Sequence, residues 1–237
     1  GKVINCLFDY NYNRGGHMSG LGVQAMGLSA LVDGCVFTNN NSAGFYSWSQ
    51  FRVGVITALD ATVRNCYIAH NNFGHASAVS SGYIGVGIFA EGAIIENCTV
   101  VSNRFTAQND EYPNASAGVC GHSGAVFINN LIEDNYSPSG LNNYRFNSTV
   151  AITNCATTPS ETLNGVDIVS ALEGDYIAIP GERLILPDTS SLIGSGHNMP
   201  WMEKAVDVYG GKRKVRRNVD IGCIENQRRP ETFFIIR

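Results

Sequence analysis

Apolar and polar positions alternate in an 11-residue segment that recurs along the chain. In residues 61–71 the inward-type positions are Ala61, Val63, Cys66 and Ile68, and polar residues separate most of them. Full copies lie at 30–40, 93–103 and 125–135, with partial copies at 1–11 and 150–155. From Cys6 to Cys155 the equivalents of Cys66 are spaced by 29, 31, 32, 32 and 25 residues. A period of this size is typical of a solenoid, in which each unit buries its apolar face only against its neighbours.

When the copies of the repeat are aligned, each set of equivalent positions forms a column. These columns predict two short strands joined by a bend. Residues two apart are small or apolar, which is the period of a strand whose alternate side chains point inward. The residue before the cysteine position is Asn in five of six copies and Gly34 in the sixth, which favours a left-handed bend. Five residues after the cysteine position stands the asparagine ladder, whose amides we expect to join successive turns: Asn11, Asn40, Asn71, Asn103 and Asn135.

The pair Gly-Val recurs at 22–23, 54–55, 85–86 and 118–119 and predicts a third strand in each unit. Three short strands, two bends and one long loop per repeat predict an all-β fold, a right-handed parallel β-helix of about five coils over residues 1–155. Residue 1 falls inside a repeat, so we expect further N-terminal coils of the same chain as a packing partner. Residues 156–237 lose the pattern and are expected to form an irregular C-terminal cap that closes the end of the core.

The repeat resembles a known family. The pattern Ala-x-Val-x-Asn-Cys-x-Ile/Phe-x-x-Asn is similar to the repeats of the bacterial pectate-lyase-like β-helix proteins. The stretches 190–196, 207–213 and 220–225, the last reading Asp-Ile-Gly-Cys-Ile-Glu, resemble the closing module of the choice-of-anchor Q subset. The resemblance implies a secreted or cell-surface bacterial protein. It implies no single reaction, because this fold carries lyases, hydrolases, epimerases and adhesins.

The composition of the chain argues against two classes of binding partner. Charged residues make up 15% of the chain and the formal net charge is −4, which argues against nucleic acid and anionic membranes. The chain has no run of 18 apolar residues, so no transmembrane helix is predicted.

Cys6, Cys35, Cys66 and Cys98 share one column, so we expect stacked, reduced thiols rather than disulfides. No cysteine or histidine spacing predicts a metal site; Ca²⁺ would suit the fold family, but no carboxylate cluster is seen.

Two outward-facing columns carry candidate chemistry. Asp33, Arg64 and Glu96 alternate in charge and predict a salt-bridge ladder. On the third strand, inward valines would turn Arg52, Tyr83 and His122 outward. Proton abstraction next to a uronate carboxylate needs a base such as His or Tyr and a cation such as Arg. These three are therefore the candidate catalytic residues of a lyase-type elimination, and hydrolysis is disfavoured because no pair of carboxylates is present.

The long loops carry aromatic residues beside Asn and Ser, which suit sugar stacking as well as packing within the loop. From these loops we take His17, Tyr46, Trp48 and Tyr112 as candidate carbohydrate-binding residues. Two functional hypotheses stay open. One is a protein that binds and cleaves, or only binds, an extracellular polysaccharide. The other is a noncatalytic structural or adhesin stalk.

Overall fold

The chain folds into a parallel β-solenoid in the computed structural model. The structure describes residues 1–13, 21–46, 52–77, 83–106, 115–157, 162–163, 166–167, 176 and 184–228. The predicted all-β fold class is confirmed. Three consecutive coils carry strands in five parallel sheets and partial coils flank them, whereas the sequence predicted about five coils.

The two strands of the repeat form six-stranded parallel sheets. Sheet 1 contains Lys2–Ile4, Leu31–Asp33, Thr62–Arg64, Ile94–Glu96, Val126–Ile128 and Ala151–Thr153. Sheet 2 contains Leu7–Asp9, Val36–Thr38, Tyr67–Ala69, Thr99–Val101, Leu131–Glu133 and Ala156–Thr157. Equivalent repeat positions pair directly: Val3, Val32, Val63, Ile95, Phe127 and Ile152 form one continuous column.

The bend between sheets 1 and 2 has the predicted left-handed backbone. Asn65 has φ 55° and Asn97 has φ 48°, and Gly34 adopts φ 64° at the equivalent place. Similar bends lie before the asparagine ladder, as at His70 with φ 57°, and before sheet 1, as at Asp60 with φ 52°. A coil therefore turns its corners at single left-handed residues, which asparagine and aspartate tolerate better than most residues.

Three further sheets complete the coil. Sheet 3 contains Tyr12–Asn13, Asn41–Tyr46, Asn72–Ser77, Arg104–Phe105 and Tyr136–Ser137, with Gly140–Leu141 added antiparallel. Sheet 4 contains Arg52–Val53, Tyr83–Gly85 and Ala115–Ser116. Sheet 5 contains Val23–Met26, Ile56–Leu59, Ile88–Glu91, Val119–His122 and Tyr144–Phe146. Sheet 3 begins directly after the asparagine ladder, within the long loop that the sequence predicted for each repeat, so that part of the loop prediction is wrong.

The Gly-Val pairs are not equivalent in the structure, which corrects the predicted register of the third strand. Val23 pairs with Ile56, Ile56 with Ile88, and Ile88 with Val119. Val55 and Val86 lie just before their strands, and both are fully buried. An alternation that starts from an inward Val55 would turn Ile56 and Ala58 outward, but both are core residues.

Inward side chains fill one continuous core. Cys35, Cys66 and Cys98 stack in it with Phe37, Ile68 and Val100 of sheet 2. All seven cysteines are free thiols, including the four of the column for which this was predicted. Six of the seven are buried, whereas Cys6, which was also expected to stack inward, is exposed in the first repeat. The Cys66 Sγ contacts the Val32 and Arg64 carbonyl oxygens at 3.8 and 3.1 Å, and burial raises the pKa of this thiol. The column therefore acts as compact apolar packing.

The asparagine ladder is confirmed. Each Nδ2 donates to the Oδ1 of the next ladder residue at 2.7–2.9 Å along four successive steps. The last ladder residue, Asn135, donates to Asn143 at 3.0 Å. The same amides also donate to carbonyl oxygens, as Asn71 does to Phe37 at 3.0 Å. The ladder thus satisfies buried backbone groups at a corner where the strands end.

The described part of the C-terminal segment lies along the side of the solenoid. Leu184, Leu186, Leu192, Ile221 and Cys223 form a second core with the outward residues of sheet 2. Bend asparagines donate to its backbone: Asn65 to Val206 O, Asn97 to Asp220 O, Asn129 to His197 O and Asn154 to Ser195 O. The segment therefore spans four coils, and closure of the end of the core stays a prediction.

Two aspartates of the C-terminal motif are buried and accept hydrogen bonds from backbone amides. Asp207 Oδ1 accepts from the Tyr209 and Gly211 amides, and Asp220 accepts from the Gly194 and Asn226 amides, at 2.7–2.9 Å. The fully buried Arg213 donates to the Asp220 and Gly222 carbonyls. Among the described residues no helix is long and apolar enough to cross a membrane; the one helical element there is a 3₁₀ turn at Pro200–Glu203.

Candidate functional site

The structure brings the three candidate catalytic residues together. Arg52 and Tyr83 are direct neighbours in sheet 4. The Tyr83 ring lies 4.4 Å from the His122 ring, centroid to centroid. His122 is the last residue of its strand in sheet 5, so the site combines side chains from sheets 4 and 5. We call Arg52, Tyr83, Glu91 and His122 the Arg52 cluster.

Glu91 is the member that the sequence analysis missed. It pairs with His122 in sheet 5, and its carboxylate holds Arg52 at two points, Nε–Oε2 at 2.5 Å and Nη2–Oε1 at 2.9 Å. The Arg52 side chain keeps 46% of its surface exposed, against 22% for Glu91. Glu91 was overlooked because alignment of the Gly-Val pairs placed Phe89 beside His122, and Phe89 lies two residues before Glu91.

His122 is oriented by its sequence neighbour. The Ser123 Oγ lies 2.5 Å from the His122 Nδ1. Ser123 has φ 45°, and its carbonyl oxygen accepts from the Gly92 amide at 3.2 Å, which ties this corner to the previous coil. If the Nδ1–H donates to Ser123, the free lone pair lies on Nε2, the arrangement that a general base needs.

A buried layer supports the cluster from below. Phe89 and Cys120 pair with each other on the same face of sheet 5, and both are almost completely buried. The Tyr83 ring packs against Phe89 at 6.2 Å between centroids. The Tyr83 and His122 rings therefore rest on rigid strands rather than on loops, which favours a fixed geometry.

The predicted salt-bridge ladder is formed at one step. Arg64 Nε and Nη2 donate to Asp33 Oδ2 at 2.8 and 2.7 Å, and the guanidinium stacks on Trp201 at 4.5 Å from the ring centroid. Glu96 follows in the column but is only 6% exposed, and burial raises the pKa of its carboxyl group. Through Arg64 this column contacts Trp201 of the C-terminal segment.

The candidate carbohydrate-binding residues lie mostly outside the described part of the chain. His17, Trp48 and Tyr112 fall outside it, and for Tyr46 only the backbone is described, paired with Ser77 in sheet 3. Among the other loop aromatics, Phe73 and Phe105 are buried in the core. Tyr10, Tyr12 and Tyr136 are exposed, at 76, 57 and 43% of their surface.

The described residues hold no group of three or more His, Cys, Asp or Glu that could bind a metal ion. The acid of the Arg52 cluster is held by a guanidinium. Because a hard cation such as Ca²⁺ needs several free oxygen ligands, the cluster by itself is suited to an anionic or hydroxyl-bearing ligand.

No family model matches this chain, and neither a curated protein nor a solved structure matches it. The resemblance to pectate-lyase-like proteins and to the closing anchor module therefore rests on the repeat and on the C-terminal residues alone.

Proposed function

We propose that this chain is a polysaccharide-binding β-helix protein of the bacterial cell surface or extracellular space, and that the Arg52 cluster is its binding site. The observation that supports it is the convergence of a half-exposed guanidinium, a phenol and an imidazole on one rigid strand surface. A guanidinium pairs with a uronate carboxylate, and aromatic rings stack on the apolar face of a sugar. The proposed ligand is therefore an acidic polysaccharide.

Binding at this site includes a rearrangement of the Arg52–Glu91 ion pair. Arg52 offers five N–H donors in a fork, and the contacts with Glu91 use its Nε and Nη2. The remaining N–H donors of Arg52 would bind a carboxylate of the ligand, which would then share the guanidinium with Glu91. The Arg52 side chain is about half exposed, so a ligand carboxylate can reach these donors while the contact with Glu91 is kept.

The orientation of His122 favours a second activity at the same site, β-elimination. The Nε2 lone pair would take the proton on the carbon next to the uronate carboxylate. The electron pair of that C–H bond would form the new C=C bond, the glycosidic C–O bond would break, and the leaving oxygen would take up a proton, with the Tyr83 hydroxyl as a donor. Arg52 would stabilise the charge that develops on the carboxylate.

The experiment is a panel of acidic and neutral polysaccharides, scored for retention of the protein and for ultraviolet absorbance of an unsaturated uronate product. Arg52→Gln should weaken retention on acidic chains, and His122→Ala should abolish product while leaving retention. His197→Ala is the matched control, because His197 is exposed and the described hydrogen bonds of this residue use only its backbone.

Three outcomes separate the hypotheses. Product that disappears in His122→Ala supports a lyase, and retention without product supports a binding protein. No retention on any chain would refute the proposal and favour the structural or adhesin stalk.

A further inference from the structure

A second surface lies on sheet 3, on a different side of the coil from the Arg52 cluster. Tyr12 pairs with Asn41, Asn41 with Asn72, Asn72 with Arg104, and Arg104 with Tyr136. The next residues in the middle coils, Ser42, Phe73 and Phe105, are buried. Alternation along a strand therefore turns the five paired residues outward. We call Tyr12, Asn41, Asn72, Arg104 and Tyr136 the sheet 3 column.

We propose that the sheet 3 column binds one chain of an acidic polysaccharide, laid parallel to the solenoid axis, as a site separate from the Arg52 cluster. The column has an exposed aromatic ring at each end, two amides and one guanidinium between them. Rings stack on sugar faces, amides donate to and accept from hydroxyl groups, and a guanidinium binds a carboxylate.

The amides of the column are only weakly engaged. Asn72 Nδ2 contacts Asn41 Oδ1 at 3.4 Å, and the Thr106 hydroxyl contacts Asn72 Oδ1 at 3.4 Å. Hydrogen bonds of this length are weak, so a ligand hydroxyl competes with them at small cost. This separates the column from the asparagine ladder one residue earlier, where the contacts are 2.7–2.9 Å long and are buried from Asn40 to Asn135.

Arg104 supplies the charge selectivity. Its guanidinium takes part in no ion pair within the described ranges, in contrast to Arg52 and Arg64. Burial and the positive charge of Arg104 both lower the pKa of the nearby His70, so His70 adds no second cation. The whole chain carries a formal net charge of −4, which disfavours non-specific attraction of a polyanion. Recognition of an acidic chain at this surface therefore depends on one local contact.

The length of the column sets the length of the ligand. Neighbouring strands are about 4.8 Å apart, so the four steps from Tyr12 to Tyr136 span about 19 Å. One step is comparable to the length of one pyranose unit, so each coil faces about one sugar residue. Beside Asn72 and Arg104 the next outward positions are Gly74 and Thr106, which leave room for a ring to approach the strands.

The test measures affinity for polygalacturonate oligomers of graded length by calorimetry. Affinity should rise with length up to about five residues and then level off, as about five strands of about 4.8 Å spacing predict. Arg104→Gln should weaken binding of these oligomers about 10-fold or more, since it removes a charge-assisted hydrogen bond. Tyr12→Ala should weaken it about 2- to 10-fold, and Tyr12→Phe should keep most of the affinity because the ring remains.

Arg217→Gln is the matched control, because Arg217 is an exposed arginine of the C-terminal segment whose described hydrogen bond uses only its backbone carbonyl, and its loss changes the net charge equally. Equal affinities for Arg104→Gln and Arg217→Gln would overturn the proposal. An affinity that already levels off at the dimer would overturn it as well.

Arg52→Gln separates this site from the proposed function. If Arg104→Gln weakens binding and Arg52→Gln does not, the sheet 3 column is supported and the Arg52 cluster is not the binding site. If only Arg52→Gln weakens binding, the column proposal is wrong.

Discussion

Replacing Asn71 by alanine tests whether the asparagine ladder stabilises the solenoid. Asn71 is completely buried and its side chain makes four hydrogen bonds. Nδ2 donates to Phe37 O at 3.0 Å and to Asn103 Oδ1 at 2.9 Å, and Oδ1 accepts from the Asn40 backbone amide and Nδ2 at 3.0 and 2.8 Å. The substitution leaves two backbone groups, the Asn40 N–H and the Phe37 C=O, without these partners.

The magnitude follows from those two groups. A buried polar group without a partner costs about 1–3 kcal/mol, so Asn71→Ala should lower the free energy of unfolding by about 2–6 kcal/mol. Asn103 Oδ1 still accepts from the Asn71 backbone amide at 3.1 Å, and Asn40 Nδ2 still donates to Phe8 O at 3.0 Å, so they add little.

The matched control is its neighbour. Asn72→Ala removes an amide of the same size with two contacts of 3.4 Å at a partly exposed position, and should cost less than about 1 kcal/mol. Urea unfolding gives the two free energies, and hydrogen exchange at the Asn40 amide reports the local opening. Equal losses in the two variants, or unchanged protection of the Asn40 amide in Asn71→Ala, would refute the assignment of stability to the ladder.

Three further predictions concern the core, the thiols and the C-terminal segment. Val86→Asp places an unpaired charge in the core and should abolish the cooperative thermal transition; a wild-type melting temperature would contradict the inward position of Val86. Burial raises the pKa of the Cys120 and Cys223 thiols to about 12 and of the Cys155 thiol to about 11, whereas Cys6 is exposed. In the native protein a thiol reagent should therefore label Cys6 alone, and the Cys6→Ser variant should remain unlabelled until it unfolds. Burial, with the charge of Asp220, raises the pKa of Glu225 from 4.5 to about 7, so the native state binds this proton more tightly than the unfolded chain, and stability should fall as pH rises from about 4.5 through about 7. In Glu225→Gln that part of the pH dependence of the melting temperature should disappear, and a steeper dependence would contradict the shift.

Part of the candidate site was accessible from the sequence. Arg52 and Tyr83 were aligned correctly because both stand three residues before the buried valine of a Gly-Val pair, and the strands pair them directly. Glu91 was missed because the spacing between its strand and the preceding Gly-Val pair differs from coil to coil, and a shift of one or two positions changes which side chains become neighbours.

The repeat, the inward columns, the bend residues and the asparagine ladder could all be predicted from the amino-acid sequence. These features are local or repeat at a fixed period, and each depends on a residue type with one physical role: an apolar side chain to bury, an asparagine that tolerates a left-handed backbone, or an amide that bonds its copy in the next coil. The strands of sheet 3 at 41–46 and 72–77 could not be predicted in this way. Strands such as Asn72–Ser77 have weak apolar alternation and are formed by pairing with neighbouring coils. Likewise, only the fold placed the C-terminal segment along sheet 2, because the bend asparagines that hold it are up to 141 residues away in the chain.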